Sequence, residues 1–457
     1  MKSIIFSLAF VLSAIVTFSQ TNPVITGWLQ NTTIPARHYV AGNSTPIVDT
    51  DPANCQLVQY SANYSYITTT GLPTYVTGPF LDGNPSVATN QNALFKFPLY
   101  PVANSGTPSA TTAGNIGLFI NGVALFDYRD GVAWNPNTNA LCGGPGNPPC
   151  PGGMGATSDW NRDAVPSEKG GFDCSKAHPA MGNYHHHQNP SAFNLDLVVI
   201  STVCNLYNAD GLYAIDSTVH SPLIGFAYDG FPIYGAYAYQ NTNGTGPIVR
   251  MKSGYALRNI TTRTTSPTGA SVSAGPPVST TYPLGYFRED YEFIPGSTSD
   301  VLDEHNGRFC VTPEYPAGTY CYFATVDANW NSAYPYVVGP TFYGVPAASK
   351  ITTISEPVTT YTPSASGIAA VDLNKTTVKV FPNPVSDLII VQLVDINTEN
   401  TYLDLYDTEG KLVGQTQLYQ GSTIASFDTK TLYAGQYLLK IHNSASSITR
   451  KVIIVKD

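Results

Sequence analysis

The chain has 457 residues, more than one hydrophobic core normally serves; only 12% are charged, while Tyr (30), Gly (39) and Pro (35) are abundant. That is the composition of a turn-rich β protein, and it argues against long solvated helices. The net charge of −9 disfavours nucleic acid and anionic membranes as partners and is compatible with cation binding.

Residues 1–20, MKSIIFSLAFVLSAIVTFSQ, place one lysine before an apolar run from Ile4 to Phe18. The run is too short and wrongly flanked for a membrane anchor and reads as a signal peptide, cleaved after Ser19 or Gln20. No later apolar run could span a bilayer, so no transmembrane segment is expected. The mature protein is expected to be exported, and soluble or surface-attached.

Residues 21–345 read as short strands between turns. In "NIGLFINGVALFDY" two apolar runs flank Asn121-Gly122, a strong hairpin signal. "LDLVVIS" (195–201), "GLYAID" (211–216) and "GTYCYFATV" (318–326) are further strand candidates. Stretches 103–115, 135–155 and 261–283 carry Ser, Thr, Pro, Gly or Asn without periodicity and read as loops.

There are seven cysteines; export permits disulfides, and an odd count leaves at least one thiol. Cys142 and Cys150 flank a Gly/Pro loop and can close on each other. Cys310 and Cys321 flank "VTPEYPAGTY", a strand-turn-strand pattern in which a local bridge is reasonable. No CxxC pair occurs, which disfavours a zinc-thiolate site.

"HPAMGNYHHHQNP" (178–190) holds four of the eight histidines. If Tyr184–Gln188 is extended, His185 and His187 share one face and His186 takes the other. An H-x-H pair supplies the imidazole donors that zinc and copper accept. His178 can fold back across the Pro-Ala-Met-Gly turn as a third ligand, with Asp173 a candidate acceptor orienting one ring. The competing reading is a polar loop, or histidines bonded to backbone carbonyls.

Two later segments add candidates. "VHSPLIGFAYDGFPIYGAY" (219–237) contributes His220 and Asp229; Asp229-Gly230 is most simply a turn, with a ligand or base role for Asp229 as the alternative. "DVLDEHNGRFC" (300–310) contributes His305, which is as readily a structural histidine as a ligand. Asp303 and Glu304 are adjacent, so on a strand they would face opposite ways and could not form one dyad. Asn306-Gly307 reads as a hairpin turn, and Arg308 as a partner for one of those carboxylates. The candidate metal ligands are therefore His178, His185, His187, His220 and His305, for a zinc or copper ion. No catalytic residue is assigned, and whether the protein is an enzyme stays open. His38 and His442 are isolated. No G-x-S-x-G elbow, H-E-x-x-H helix, Walker loop or strand-linked GxGxxG is present, which argues against nucleotide-dependent chemistry.

Residues 344–376, rich in Ser, Thr, Pro and Ala, read as an interdomain linker. Beyond them "VKVF", "DLIIVQLV", "TYLDLYD", "KLVGQTQLY", "STIASFD", "GQYLLKIHN" and "ITRKVIIV" imply a small seven-stranded β-sandwich over 377–457.

Within it, "VFPNPVSDLIIV" (380–391), "YDTEGKLV" (406–413), "LYAGQYLLKI" (432–441) and the closing "KVIIVKD" resemble the C-terminal sorting domain of the type IX secretion system of Bacteroidetes-type bacteria. The resemblance implies export across the outer membrane, with the type IX secretion machinery as partner through residues 377–457. It also implies a secreted or surface-attached product from which this domain is generally removed.

"IGLFINGVALFD", "HPAMGNYHHH", "HSPLIGFAYDGFPIYG", "LDEHNGRFCVTPEYPAGTYCYF" and "YPYVVGPTFYG", in that order across about residues 58–343, resemble the YHYH domain family. The family's Tyr-His-Tyr-His motif reads Tyr184-His185-His186-His187, with His186 replacing the second tyrosine. Both motif histidines remain, at alternate positions. The resemblance implies no particular reaction.

The expected architecture is all-β: a large irregular YHYH-type β domain (21–343), the linker, and a small Ig-like β-sandwich. The leading functional reading is a secreted metal-binding protein. An ion with an open position would acidify a bound water for hydrolysis, whereas copper would equally suit redox or metal capture. The alternative is a non-enzymatic surface protein binding glycan or protein, for which tyrosines and Asn/Gly loops are suited. A metal-free hydrolase using Asp229 and Asp303 ranks last, because nothing sets their separation.

Overall fold

The computed structural model describes residues 21–81, 87–144, 146–152, 158–191, 207, 210–363, 372–394, 399–419 and 422–456. The apolar N-terminal segment and the candidate strand 195–201 lie outside them. The described chain is all-β, with two short α-helices, Pro23–Thr26 and Ala164–Glu168. Each begins at a side chain that accepts from the first turn, Asn22 and Asp163 respectively.

The body is built on an eight-stranded mixed sheet. At one edge lies a hairpin of Ala177–Ala180 and Asn183–His186, followed by Ala124–Phe126, Asn115–Phe119, Leu223–Ala227, Pro232–Tyr234, Thr319–Phe323 and Gly307–Cys310. The Asn121-Gly122 hairpin forms as its sequence implies. Gly122 has a φ of 77°, and a Cβ there would meet Thr69 Oγ1 at 2.0 Å, so both conformation and space demand glycine.

One face of this sheet packs against a five-stranded sheet whose central strands are Cys55–Tyr60, Tyr64–Thr69 and Ala93–Pro98. Leu118, Phe226 and Phe323 meet Trp28, Val58, Ile67, Phe95 and Phe97 there. The opposite face carries Phe119, Ile233, Tyr320 and Tyr322 and is covered by Tyr213, Ile215, Tyr334, Tyr336 and Val337. Alternation along the strands serves both cores, because sheet residues point to opposite faces in turn.

Several expectations change in three dimensions. Residues 211–216 form no strand: Tyr213 makes a single bridge to Ser191, and its hydroxyl donates to Asn189. Their apolar alternation reflects burial of Tyr213 and Ile215 beneath the main sheet. The Ser/Thr/Pro-rich stretch is not wholly a linker, since Ser349–Ile351 and Thr359–Thr360 add the two edge strands to the five-stranded sheet. Main-chain pairing does not require apolar side chains, so it left no compositional trace.

Cys142 and Cys150 are bridged, with Cα atoms 4.8 Å apart. Cys310 and Cys321 are instead free and buried. In the antiparallel pair, Cys321 faces Arg308 and Cys310 faces Thr319, so the two cysteines are diagonal neighbours. Among the described residues Arg308 pairs with no carboxylate; it donates to the carbonyls of Tyr239, Gln240 and Ser299. Asp303 and Glu304 lie in a turn, where Asp303 accepts from Tyr320 and from the amides of His305 and Gly307.

The C-terminal region is a seven-stranded sandwich. Val378–Phe381, Leu388–Leu393 and Ile424–Asp428 form one sheet, and Leu412–Leu418, Thr401–Tyr406, Gly435–His442 and Ser447–Ile454 the other. Ile389, Val391, Leu403, Leu405, Leu439, Ile441 and Val452 fill the space between them. Its outer face meets the body, where Ile390 and Ile424 pack with Tyr39, Val76 and Tyr207. Lys379 Nζ lies 2.9 Å from Asp216, and the Arg37 guanidinium sits over the Tyr419 ring.

Candidate metal centre

The histidine hairpin turns at Met181 and Gly182, with φ of 49° and 82°, and pairs Ala180 with Asn183 across a two-residue loop. Positive φ at both central residues gives the twist that closes antiparallel strands, and glycine takes it without strain. The register sets His178 directly opposite His185. His187 follows the strand end and shares a face with His185, while His186 points away.

His186 Nε2 meets the Tyr75 hydroxyl at 2.8 Å, and its ring packs edge-on against Phe119. Burial, with the nearby Lys176 charge, lowers its pKa to about 3. It is a neutral core histidine, so the position at which this motif departs from Tyr-His-Tyr-His lies outside the centre.

His178, His185 and His187 are all buried and offer ligand nitrogens within 4.8 Å of one another. His185 Nδ1 donates to the Asn183 carbonyl at 2.8 Å and His187 Nδ1 to the Asp127 carbonyl at 2.7 Å. A carbonyl can only accept, so each Nδ1 carries a proton, and in its neutral form each ring turns an Nε2 lone pair inward. Those two Nε2 atoms are 3.1 Å apart. Burial, reinforced by the neighbouring His187 and His178, holds His185 well below the usual imidazole range. Phe126 stacks on the His185 ring at 3.9 Å, and Phe172 packs edge-on against His178. The walls are thus apolar, and the donors converge on one point.

Sequence reasoning missed Glu168, the last residue of the Ala164–Glu168 helix. Its Oε2 lies 3.2 Å from His178 Nε2 and 3.3 Å from His187 Nε2. That oxygen is buried and makes no hydrogen bond of good geometry. Burial pushes the carboxyl up, but the charge that His178 and His187 carry when protonated outweighs it and holds Glu168 well below the usual carboxylate range, so these rings and the carboxylate together attract a positive charge. Nothing in "AVPSEKGG" distinguishes this acid from a solvated one, because its meaning comes from the fold alone.

The other candidates are elsewhere. His220 donates Nδ1 to the Ser221 carbonyl and its ring packs against Tyr234 and Tyr239. His305 bonds through Nδ1 to Thr341. Neither joins the triad among the described residues. Asp173 orients no histidine ring; its carboxylate accepts from the Tyr184 hydroxyl and from the amides of Gly78, Ser175 and Ala177. Main-chain carbonyls take over the orienting role expected of it. Asp229 sits in the turn after Leu223–Ala227 and accepts from Tyr322 and the amides of Phe231 and Gly344.

A three-imidazole set leaves a tetrahedral ion one further position, and Glu168 Oε2 is a charged atom standing 3.2 Å from His178 Nε2. Among the described residues the donors are nitrogen and oxygen, with no sulfur, which suits a divalent first-row ion.

A family model described as YHYH protein matches residues 94–335, more than half of the chain. A second, described as secretion system C-terminal sorting domain, matches residues 379–455. No curated protein matches. Among the described residues, no helix is long and apolar enough to cross a membrane.

Proposed function

The chain belongs to the YHYH protein family and ends in a type IX sorting domain, and from that premise we propose that it is an exported metal-binding protein in which His178, His185 and His187 hold one zinc or copper ion. The protein is exported by the type IX system and is secreted or attached to the cell surface. The proposed organisation is a cleavable signal peptide (1–20), a β body (21–343), a connecting stretch (344–376) and a sorting domain (377–457) that engages the secretion machinery.

The observation that carries the metal reading is the 3.1 Å approach of two Nε2 lone pairs whose Nδ1 protons are committed to backbone carbonyls. Neutral imidazoles with oriented outer nitrogens are the form in which histidine binds metal. A polar loop of solvated histidines would be exposed, whereas these three residues are at most 7% exposed.

The test is elemental analysis of untagged protein beside a His185→Ala/His187→Ala variant. Stoichiometric zinc or copper in the parent and none in the variant supports the reading. A parent that carries no metal and takes up neither Zn2+ nor Cu2+ on titration ends it.

A further inference from the structure

We propose that Glu168 is the fourth ligand of this centre, so that the chain itself closes a tetrahedral N3O site around a divalent ion. The inference rests on the metal-binding reading and adds to it the state of the fourth coordination position.

Bonds of about 2.0–2.1 Å to a tetrahedral ion place neighbouring donors about 3.3 Å apart. Three donor pairs have that spacing: His185 Nε2 to His187 Nε2 at 3.1 Å, and Glu168 Oε2 to His178 Nε2 and His187 Nε2 at 3.2 and 3.3 Å. A carboxylate serving as a base for metal-bound water would stand one water farther out, and no water fits between atoms this close. Oε2 is buried, and the groups facing it are the His178 and His187 imidazoles, so a cation held between those nitrogens would also take this oxygen as a partner.

The helix supports this placement. Asp163 caps its first turn through the Val165 amide, and the Tyr336 hydroxyl donates to the other Asp163 oxygen at 2.6 Å. These bonds anchor the segment carrying Glu168 to the body. The Glu168 side chain is 23% exposed, against 3% for His187, so it stands on the solvent side of the imidazoles. An exogenous ligand would have to displace it to reach the ion. Three imidazoles and one carboxylate, with no thiolate or thioether among the described residues there, also favour a divalent ion over Cu(I).

The test uses Co2+ as the probe, titrated into the full-length metal-free protein and into Glu168→Ala and Glu168→Gln variants, with azide added afterwards. The parent is expected to give a four-coordinate visible spectrum that azide leaves unchanged. Both variants should bind one Co2+ through the histidines about 10-fold or more weakly, and their spectra should shift with azide. Glu168→Gln preserves shape, so a change shared by both variants is not a packing effect. Equal affinity in all three proteins, or a parent spectrum that responds to azide as the variants do, overturns the assignment while leaving the three-histidine site intact. A parent that takes up no Co2+ or Zn2+ overturns the metal reading and this assignment together.

Discussion

His185 Nε2 lies 3.1 Å from His187 Nε2, and each ring gives its Nδ1 proton to a main-chain carbonyl. Two buried lone pairs at that distance repel unless something positive sits between them. A single shared proton would serve that pair alone. His178 and the Glu168 carboxylate converge on the same space, and one cation satisfies all four groups.

Metal should therefore stabilise the folded body. An ion at about 100 times its dissociation constant adds about 2.7 kcal/mol to a state that alone binds it. Thermal melts of the zinc-loaded protein should fall on adding EDTA. The His185→Ala/His187→Ala variant should show no EDTA effect; an equal effect in that variant would place the stabilising ion elsewhere.

Replacing His220 or His305 by Ala should leave the metal content of the purified protein unchanged. His220 bonds to Ser221 and His305 to Thr341, away from the triad. His178→Ala, by contrast, removes a converging donor and should weaken zinc binding by about tenfold or more in a chelator competition. Loss of metal in His305→Ala would mean that the ligand set differs from the one derived above.

Asp173 supports the hairpin through bonds to Tyr184 and to main-chain amides. Asp173→Ala leaves the Gly78, Ser175 and Ala177 amides and the Tyr184 hydroxyl without their acceptor. Buried unsatisfied donors cost about 1–3 kcal/mol each, partly relieved by relaxation, so a loss of roughly 3 kcal/mol is expected in urea unfolding of the metal-free protein. A loss below about 1 kcal/mol would show that these bonds are replaceable.

The buried Asp229 sets a pH dependence remote from the three converging histidines. Burial raises its pKa to about 6, against an ordinary value of 3.8, even though Tyr322, Gly344 and Phe231 donate to it. The folded state therefore holds this proton more tightly than the unfolded chain. Its contribution is complete below about pH 4 and is lost as pH rises through about 6, an effect of at most about 3 kcal/mol. Urea unfolding in EDTA should show the parent gaining stability relative to Asp229→Asn between about pH 8 and pH 4. A constant difference across that range would mean that Asp229 is not titrating there.

Where a signal was local, the sequence was readable. Asn121-Gly122 announced its hairpin, the regular alternation after Thr377 announced seven strands, and H-x-H announced two imidazoles on one side. Where a role depended on a distant partner, it was not. The alternating residues 211–216 looked like a strand because they are buried, and residues 349–351 looked like linker because edge pairing uses only the backbone. Asp173 was the nearest acid in the chain to the histidines, yet its four bonds lead elsewhere.

The amino-acid sequence by itself determined the all-β class, the export address at the C terminus and the histidine-bearing segment, because these reside in composition, short-range periodicity and adjacent residues. Only the tertiary structure decided which histidines meet, that Asn183 and Asp127 carbonyls orient them, and that Glu168 stands beside them. Strand periodicity specifies which way a side chain points but not what it finds there. Convergence of a helix end, a hairpin and the Asp127 main chain depends on packing across the whole body, and that is where the candidate site is made.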